Sequence, residues 1–180
     1  MVKLLDCTLR DGGYYNSWDF DLELAQAYFA SMAAQKIDYV EIGLRSTKNQ
    51  GFKGGYAFSS ESFIENLNIP SELHDKIGVM INAAELLDEN QSVIQVLESL
   101  FLPKKESYVS LVRIACHTHE FTKVLPAVLW LVEKGYKIGF NLMQIADETD
   151  DDIVELACLA SNYPIDVLYF ADSMGSLFPD

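Results

Sequence analysis

Leu5-Asp6-Cys7-Thr8-Leu9-Arg10-Asp11-Gly12-Gly13 is the stretch that decides how this chain of 180 residues is interpreted. A short apolar run at residues 2–5 leads into it and predicts a buried strand. An arginine, a carboxylate and two glycines follow, and the glycines favour a tight turn. A strand of a β/α barrel that ends in charged groups delivers them to the face where barrel enzymes do their chemistry. Asp11 is therefore a candidate ligand for a divalent cation, and Arg10 could neutralise a developing oxyanion.

Strand-like and helix-like segments alternate along the rest of the chain. Five further apolar segments rich in valine and isoleucine predict strands at residues 38–43, 76–82, 108–115, 136–142 and 166–171. Helical patterns lie between most of them: one capped by Asp21, one marked by Val93, Leu97 and Leu100, one over residues 120–134 that contains Pro126, and one that begins at Thr149. Residues 44–69 instead predict a long loop with a helix beginning near Ser59 or Ser60. The alternation predicts a parallel sheet with right-handed crossovers.

Composition narrows the classes of function. The formal net charge is −14, which argues against nucleic acid or an anionic membrane as a partner, because both require basic surfaces. The three cysteines are widely spaced and show no zinc or disulfide pattern, so we expect reduced thiols in a cytoplasmic protein. No apolar run reaches membrane-spanning length, and the N-terminus shows no signal-peptide pattern. With 49% hydrophobic residues, residues 1–180 can form the core of one domain.

The opening stretch resembles the D-x-T-L-R-D-G signature of the DRE-TIM metallolyases, which include HMG-CoA lyases, isopropylmalate synthases and 4-hydroxy-2-oxovalerate aldolases. In that family the signature arginine stabilises an enolate and the next aspartate binds the metal, roles that the resemblance assigns to Arg10 and Asp11. Val40-Glu41-Ile42-Gly43 is similar to the family's I-E-V-G run, in which the glutamate lies near the metal. The alternative for Arg10 and Asp11 is a surface charge pair in a turn. The alternative for Glu41 is a structural ion pair with Arg10 or Arg45.

Three later stretches resemble the 4-hydroxy-2-oxovalerate aldolases in the same order. Residues 112–120 (VRIACHTHE) are similar to V-R-V-A-T-H-x-x-E, residues 139–143 (GFNLM) to G-F-L-M-M, and residues 171–175 (ADSMG) to A-D-S-x-G. The resemblance implies an α/β fold of the TIM type, an incomplete (β/α) barrel of about six parallel strands. Leu177-Phe178-Pro179-Asp180 predicts the opening turn of another helix, so we expect part of a longer polypeptide or a sheet completed by association. A complete open sheet of six strands is the alternative.

Tyr14 and His117 occupy positions at which the aldolases have histidines. The family's catalytic base stands three residues after the metal-binding aspartate, where this chain has Tyr14. A phenol, with an ordinary pKa of about 10, is a poorer base at neutral pH. Tyr14 is expected to position a substrate hydroxyl or to pack as a loop aromatic. His117 and His119 form a candidate metal pair, but the family's His-x-His ligands belong to a later strand, and only His117 matches a family histidine.

The resemblance implies a divalent-metal-dependent aldolase or lyase that acts on a 2-oxo acid through a pyruvate enolate. The expected cofactor is Mn²⁺ or Mg²⁺, which suits an oxygen-rich site. Arg10 and Tyr14 are the expected catalytic residues, Asp11 the metal ligand, and Glu41 and His117 groups that face the substrate or support it. Besides the 2-oxo acid, the expected partners are further copies of the chain, and neither nucleic acid nor membrane.

Two other classes of function remain open from the residues. One is a non-catalytic truncated barrel that serves binding or assembly. The other is an acyl-CoA-dependent Claisen-type synthase, although no sequence feature indicates a nucleotide site. One carboxylate is too few ligands to hold a metal well, so we expect residues 1–180 alone to bind a metal ion weakly and to turn over slowly or not at all.

Overall fold

The computed structural model describes residues 2–48, 51–172 and 175–176. Within them, six parallel strands curl into a half-barrel with helices between the strands, an incomplete TIM-type α/β fold. The strands are β1 (Leu5–Asp6), β2 (Tyr39–Leu44), β3 (Ile77–Asn82), β4 (Val109–Cys116), β5 (Lys137–Met143) and β6 (Val167–Ala171). Each strand pairs with the next one in the sequence. The five later strands lie within one residue of their predicted bounds at each end.

Helices connect the strands, and capping residues explain where several of them begin. The α-helices of the described residues are α1 (Thr8–Asn16), α2 (Leu22–Ala34), α3 (Glu61–Glu65), α4 (Ala83–Leu86), α5 (Val93–Leu100), α6 (Thr118–Glu133) and α7 (Asp150–Ala160). The side chains of Asp21, Ser60 and Thr149 accept hydrogen bonds from the first turns of α2, α3 and α7, which confirms these predicted starts. Helix α6 begins two residues before the predicted start, and Pro126 lies inside it.

Side chains of the strands alternate between the helix layer and the inside of the half-barrel. On β4, Val112 and Ile114 are fully buried in the hydrophobic core, whereas Leu111 and Arg113 line cavities inside the half-barrel. A cavity of about 500 Å³ lies there, lined by Lys3, Leu5, Cys7, Tyr39, Arg113, Val167 and Tyr169. The inward face therefore carries charged as well as apolar side chains, and the core lies between the sheet and the helices.

The first strand and the turn predicted after it differ from expectation. β1 covers Leu5–Asp6 rather than residues 2–5, and Arg10 and Asp11 lie in helix α1 rather than in a glycine turn. Gly13 is accommodated in the helix because the Trp18 ring occupies the place of its side chain: a Cβ atom there would lie 2.0 Å from Trp18 Cδ1. Gly13 therefore allows close packing and does not reverse the chain.

The long connection after β2 is anchored by a buried arginine. Arg45 donates from Nε to the carbonyl oxygen of Ser59 at 2.9 Å and from Nη2 to Glu61 at 2.7 Å. Its guanidinium also lies over the ring of Phe101, with the centroid 5.0 Å from Cζ. Arg45 is therefore engaged in the helix layer, and the prediction that it could pair with Glu41 is wrong.

Some predictions fall outside the described residues. These are the helix turn at residues 177–180 and the middle of the A-D-S-x-G resemblance at Ser173 and Met174. Among residues 2–48, 51–172 and 175–176, no helix combines the length and the apolar character needed to cross a membrane.

Candidate active site

Helix α1 places Arg10 and Asp11 at the carboxyl edge of the sheet. β1 ends at Asp6 and the helix begins two residues later, so both side chains stand where barrel enzymes bind their substrates. Arg10 Nη1 donates a hydrogen bond to Oδ1 of Asp11. The Arg10 side chain is 13% exposed and that of Asp11 is 61% exposed. The guanidinium is thus largely enclosed, while the carboxylate reaches solvent.

Contacts at both ends hold helix α1 in place. At its start, Asp6 Oδ1 accepts hydrogen bonds from the Thr8 amide at 2.9 Å and from the Tyr28 hydroxyl. Burial raises the pKa of Asp6, but these hydrogen bonds outweigh it and leave the pKa below its ordinary value. After its end, Trp18 Nε1 donates to the carbonyl oxygen of Arg10 at 3.1 Å. These contacts fix the backbone that carries Arg10.

Glu41 of β2 orients the guanidinium of Arg10. Its side chain is fully buried, and Oε1 accepts a hydrogen bond from Arg10 Nε at 2.7 Å. A buried carboxylate is costly unless it is paired, and the predicted ion pair with Arg10 is present. With Nε bound to Glu41 and Nη1 to Asp11, Nη2 of Arg10 binds neither of the two carboxylates.

A second arginine, Arg113 of β4, holds Glu41 from the other side. Its Nη1 donates to Oε1 and Oε2 of Glu41 at 2.9 and 3.0 Å, and its Nη2 donates to Oδ1 of Asn141 at 2.8 Å. Arg113 is 4% exposed, and its Cζ lies 4.3 Å from the ring centroid of Tyr169. Two guanidinium groups thus share one buried carboxylate, which leaves an excess of one positive charge that Asp11 offsets from the solvent side.

Cys7 lies between these groups and the cavity of the half-barrel. Arg113 Nη1 approaches its Sγ at 3.4 Å. Burial, together with the charge of Glu41, raises the pKa of the thiol to about 11, although Arg113 and Arg10 act to lower it. Cys7 is therefore a thiol at neutral pH, and the arrangement does not activate it as a nucleophile.

Tyr14 stands one helical turn beyond Arg10, on the same side of α1. It is 61% exposed, and its ring meets that of Trp18 edge-on, with centroids 4.7 Å apart. Within the described part of the chain, no hydrogen bond joins Tyr14 to Arg10 or Asp11. The structure brings Tyr14 next to the ion pairs without linking it to them.

His117 follows β4 directly and stands at the start of α6. Its backbone amide donates to Glu120 Oε2 at 2.9 Å, and its half-buried ring stacks on that of His119 with centroids 5.5 Å apart. No hydrogen bond or ion pair between described residues connects it to Arg10 or Glu41. His117 therefore lies at the same edge of the sheet as Arg10, but outside the Arg10–Glu41–Arg113 group.

The described residues do not complete a site for a divalent metal ion. No group of three or more His, Cys, Asp and Glu side chains is arranged to hold an ion in residues 2–48, 51–172 and 175–176. Asp11 offers an exposed carboxylate, whereas Glu41 is occupied by two arginines. Mn²⁺ and Mg²⁺ prefer about six oxygen-type ligands. The donor set of the described residues falls short of that number.

Sequence reasoning did not assign Arg113, Asn141 and Tyr169 to the site. A signal was present, because a charged residue in the middle of an apolar strand such as β4 requires a buried partner. Glu41 in the middle of β2 carries the opposite charge. Whether their side chains meet depends on the curvature of the sheet, which the sequence alone did not provide.

Comparisons with known proteins point to aldolases. No known family profile matches the chain. In sequence, it is 21% identical over 178 residues to a 4-hydroxy-2-oxovalerate aldolase of Bacillus cereus, covering 99% of this chain and 50% of that protein. In structure, it is similar to the N-terminal domain of a candidate aldolase from Bacteroides vulgatus, with a TM-score of 0.74, 28% identity, and coverage of 99% of this chain and 56% of that one. The chain thus spans about half the length of the relatives that it matches.

Proposed function

We propose that this chain is part of an aldolase of the DRE-TIM metallolyase type, which cleaves or forms a carbon–carbon bond in a 2-oxo acid such as 4-hydroxy-2-oxovalerate. One observation carries the proposal: a buried glutamate, Glu41, holds Arg10 at the carboxyl edge of the sheet, and one amino group of the guanidinium binds neither Glu41 nor Asp11. The similarity to two aldolases supports it.

Arg10 suits the charge that develops in this reaction. Cleavage beside the carbonyl group leaves the electron pair of the broken bond in an enolate, whose oxygen gains negative charge. Nη2 of Arg10 can donate a hydrogen bond to that oxygen, and the ion pair with Glu41 holds the donor in place beforehand. Because the Arg10 side chain is only 13% exposed, little water screens the interaction.

Tyr14 and His117 are proposed to contact the substrate around this centre. Cleavage requires the hydroxyl group on carbon 4 to give its proton to an acceptor, which we take to be water because the site opens to solvent at Asp11. Tyr14, one helical turn from Arg10, would hydrogen-bond that hydroxyl. His117 follows β4 at the same edge, from which it can face the 2-oxo acid. We assign Tyr14 the positioning of the hydroxyl because an ordinary phenol is a weak base at neutral pH.

The test of the proposal is pyruvate release from 4-hydroxy-2-oxovalerate in the presence of Mn²⁺, followed by NADH oxidation with lactate dehydrogenase. We expect the chain to release pyruvate slowly and Arg10→Lys to lower kcat by about 100-fold, the effect of losing one oxyanion donor. Lysine cannot bind Glu41 and an oxyanion at once, because it lacks the planar fork of arginine. Arg45→Lys is the matched control, since it alters a buried arginine in the helix layer. No pyruvate release by the chain, or equal rates for Arg10→Lys and Arg45→Lys, would contradict the proposal.

We further propose that the cofactor is Mn²⁺ or Mg²⁺ and that Asp11 is one of its ligands. A bound ion of this kind polarises the carbonyl oxygen of a 2-oxo acid. Because the described residues offer so few ligands, the chain should bind Mn²⁺ with a dissociation constant weaker than micromolar in isothermal titration. Asp11→Asn should abolish the binding of Mn²⁺. The matched control is Asp19→Asn, which alters an exposed aspartate just beyond α1 and should preserve the binding. Micromolar binding would show that the account of the missing ligands is wrong, and equal binding by both variants would refute the assignment of Asp11 as a ligand.

A second candidate function is a non-catalytic module for binding or assembly. The described residues form no three-ligand metal group, and Tyr14 replaces the histidine expected of an aldolase base, which favours this reading. β1 and β6 each pair with one neighbour only, so the two edges of the described sheet are open to another strand. Such a module would associate in light scattering at rising concentration while releasing no pyruvate, whereas the aldolase would release pyruvate whether or not it associates.

A further inference from the structure

Arg113 lies in the interior of the half-barrel and connects four parts of the sheet. It contacts Cys7 after β1, Glu41 on β2, Asn141 on β5 and Tyr169 on β6. The proposed chemistry gives it no role, since its Nη atoms are both occupied and its side chain is 5% exposed. A purely structural arginine is one explanation of these contacts, but the geometry at Glu41 supports another.

The two arginines meet at the same oxygen of Glu41. Arg10 Nε donates to Oε1 at 2.7 Å, and Arg113 Nη1 donates to Oε1 at 2.9 Å and to Oε2 at 3.0 Å. Because Arg113 binds both oxygens, the plane of the carboxylate cannot turn without breaking a buried charge-assisted hydrogen bond. The direction from which Oε1 receives Arg10 is therefore set by Arg113.

Neighbouring residues hold Arg113 itself in one orientation. Asn141 accepts from Nη2 at 2.8 Å, and the ring of Tyr169 lies 4.3 Å from Cζ. Gly139 lies opposite Arg113 in the register of β4 and β5, and a Cβ atom there would lie 3.2 Å from Arg113 Cγ and 2.9 Å from Tyr169 Cε2. The absence of a side chain at this position lets Arg113 lie across β5 under the tyrosine ring.

We propose that Arg113 is a positioning residue, which binds both oxygens of Glu41 and thereby fixes the direction in which Arg10 presents its remaining amino group. Its effect on catalysis rests on the function proposed above, whereas its effect on the orientation of Arg10 does not. Arg113 acts through Glu41 and touches no reacting atom.

The chain allows a direct test because it contains only three arginines, Arg10, Arg45 and Arg113. Labelling with ¹⁵N-arginine gives three Nε–H signals, which single variants assign. In Arg113→Lys, which keeps the charge but loses the fork, we expect the Arg10 signal to shift and its proton to exchange faster with water, while the Arg45 signal stays in place. In the matched control Arg45→Lys, the Arg10 signal should not move.

A second variant leaves Arg113 in place and guards against misfolding of the first. Asn141→Ala removes the acceptor of Arg113 Nη2, so it should shift the Arg10 signal in the same direction by a smaller amount. Unchanged Arg10 signals in both Arg113→Lys and Asn141→Ala would overturn the proposal. A shift of the Arg10 signal by an equal amount in Arg45→Lys would also overturn the proposal, because the shift would then be a general response to losing a buried arginine.

Kinetics separates this inference from the proposed function. If the chain releases pyruvate, Arg113→Lys should lower kcat by about 100-fold with little change in KM, as a misplaced catalytic group does. If the chain is active and Arg113→Lys shifts the Arg10 signal without lowering kcat, the proposed effect of Arg113 on catalysis is wrong. If the unaltered chain releases no pyruvate, the proposed function fails, and the Arg10 signal still decides whether Arg113 positions it.

Discussion

Among the described residues, the arginine side chains that form ion pairs are more buried than the lysine side chains that do so. All three arginines donate to carboxylates: Arg10 to Asp11 and Glu41, Arg45 to Glu61, and Arg113 to Glu41. The planar fork of arginine and its permanent charge suit buried ion pairs. In a chain with a net charge of −14, two of its three arginines converge on one carboxylate beside the proposed site. This convergence is the strongest indication at the scale of single residues that the half-barrel interior receives an anion.

The thiol of Cys7 offers a measurable check on the same environment. Burial and the charge of Glu41 raise its pKa to about 11, and burial raises that of Cys116 to about 12, whereas Cys158 is exposed. At pH 8 the thiolate of Cys7 should therefore be about 100-fold less populated than that of an ordinary cysteine.

Peptide mapping by mass spectrometry after brief treatment with iodoacetamide should find Cys158 alkylated well before Cys7. The rate at Cys7 should climb as the pH approaches 11, because a raised pKa delays formation of the thiolate. In urea, where the chain is unfolded, all three cysteines should react alike. Equal alkylation of Cys7 and Cys158 in the folded chain at pH 8 would show that the burial described for Cys7 is wrong.

Helix α1 marks the limit of what the sequence could predict at the scale of elements. Arg10, Asp11 and Glu41 could be identified because they follow or lie within short apolar runs. The helical state of α1 could not, because two adjacent glycines normally favour a turn. The helical conformation depends on the Trp18 ring, which fills the space beside Gly13. That contact is part of the tertiary packing and leaves no local signal in the sequence. The capped helices α2 and α7 could be predicted because their signals are local.

Strand β5 carries a prediction about the support of Arg113. A Cβ atom on Gly139 would lie 2.9 Å from Tyr169 Cε2 and 3.2 Å from Arg113 Cγ, so Gly139→Ala should force both side chains to move and lower the free energy of unfolding by about 1–3 kcal/mol. Gly78→Ala on β3 is the control, because its Cβ atom would meet its nearest neighbours at 3.6 Å, an ordinary contact distance. Urea unfolding compares the two variants. A loss in Gly78→Ala as large as in Gly139→Ala would mean that the close approach at Gly139 has no special cost.

At the scale of the whole molecule, the sequence predicted the order and nearly the bounds of the strands, because β/α alternation is a long-range pattern built from local signals. The sequence did not predict how the sheet curves to bring β1, β2 and β4 around a common interior. For this reason the sequence predicts the ion pair of Glu41 with Arg10 but not its second ion pair, with Arg113. The net charge of −14 disfavours anions in general, so the proposed anionic 2-oxo acid would depend on the two guanidinium groups that the sheet brings together at Glu41.

Exchange of the methyl protons of pyruvate with deuterium oxide tests the central claim most directly, since it requires only the enolate and no aldehyde partner. With Mn²⁺ present, ¹H NMR should show loss of the methyl signal with the unaltered chain and with Arg45→Lys, and an exchange rate about 100-fold lower with Arg10→Lys. Exchange that proceeds as fast with Arg10→Lys as with the unaltered chain, or that never exceeds the rate with Mn²⁺ alone, would contradict the claim that Arg10 stabilises an enolate.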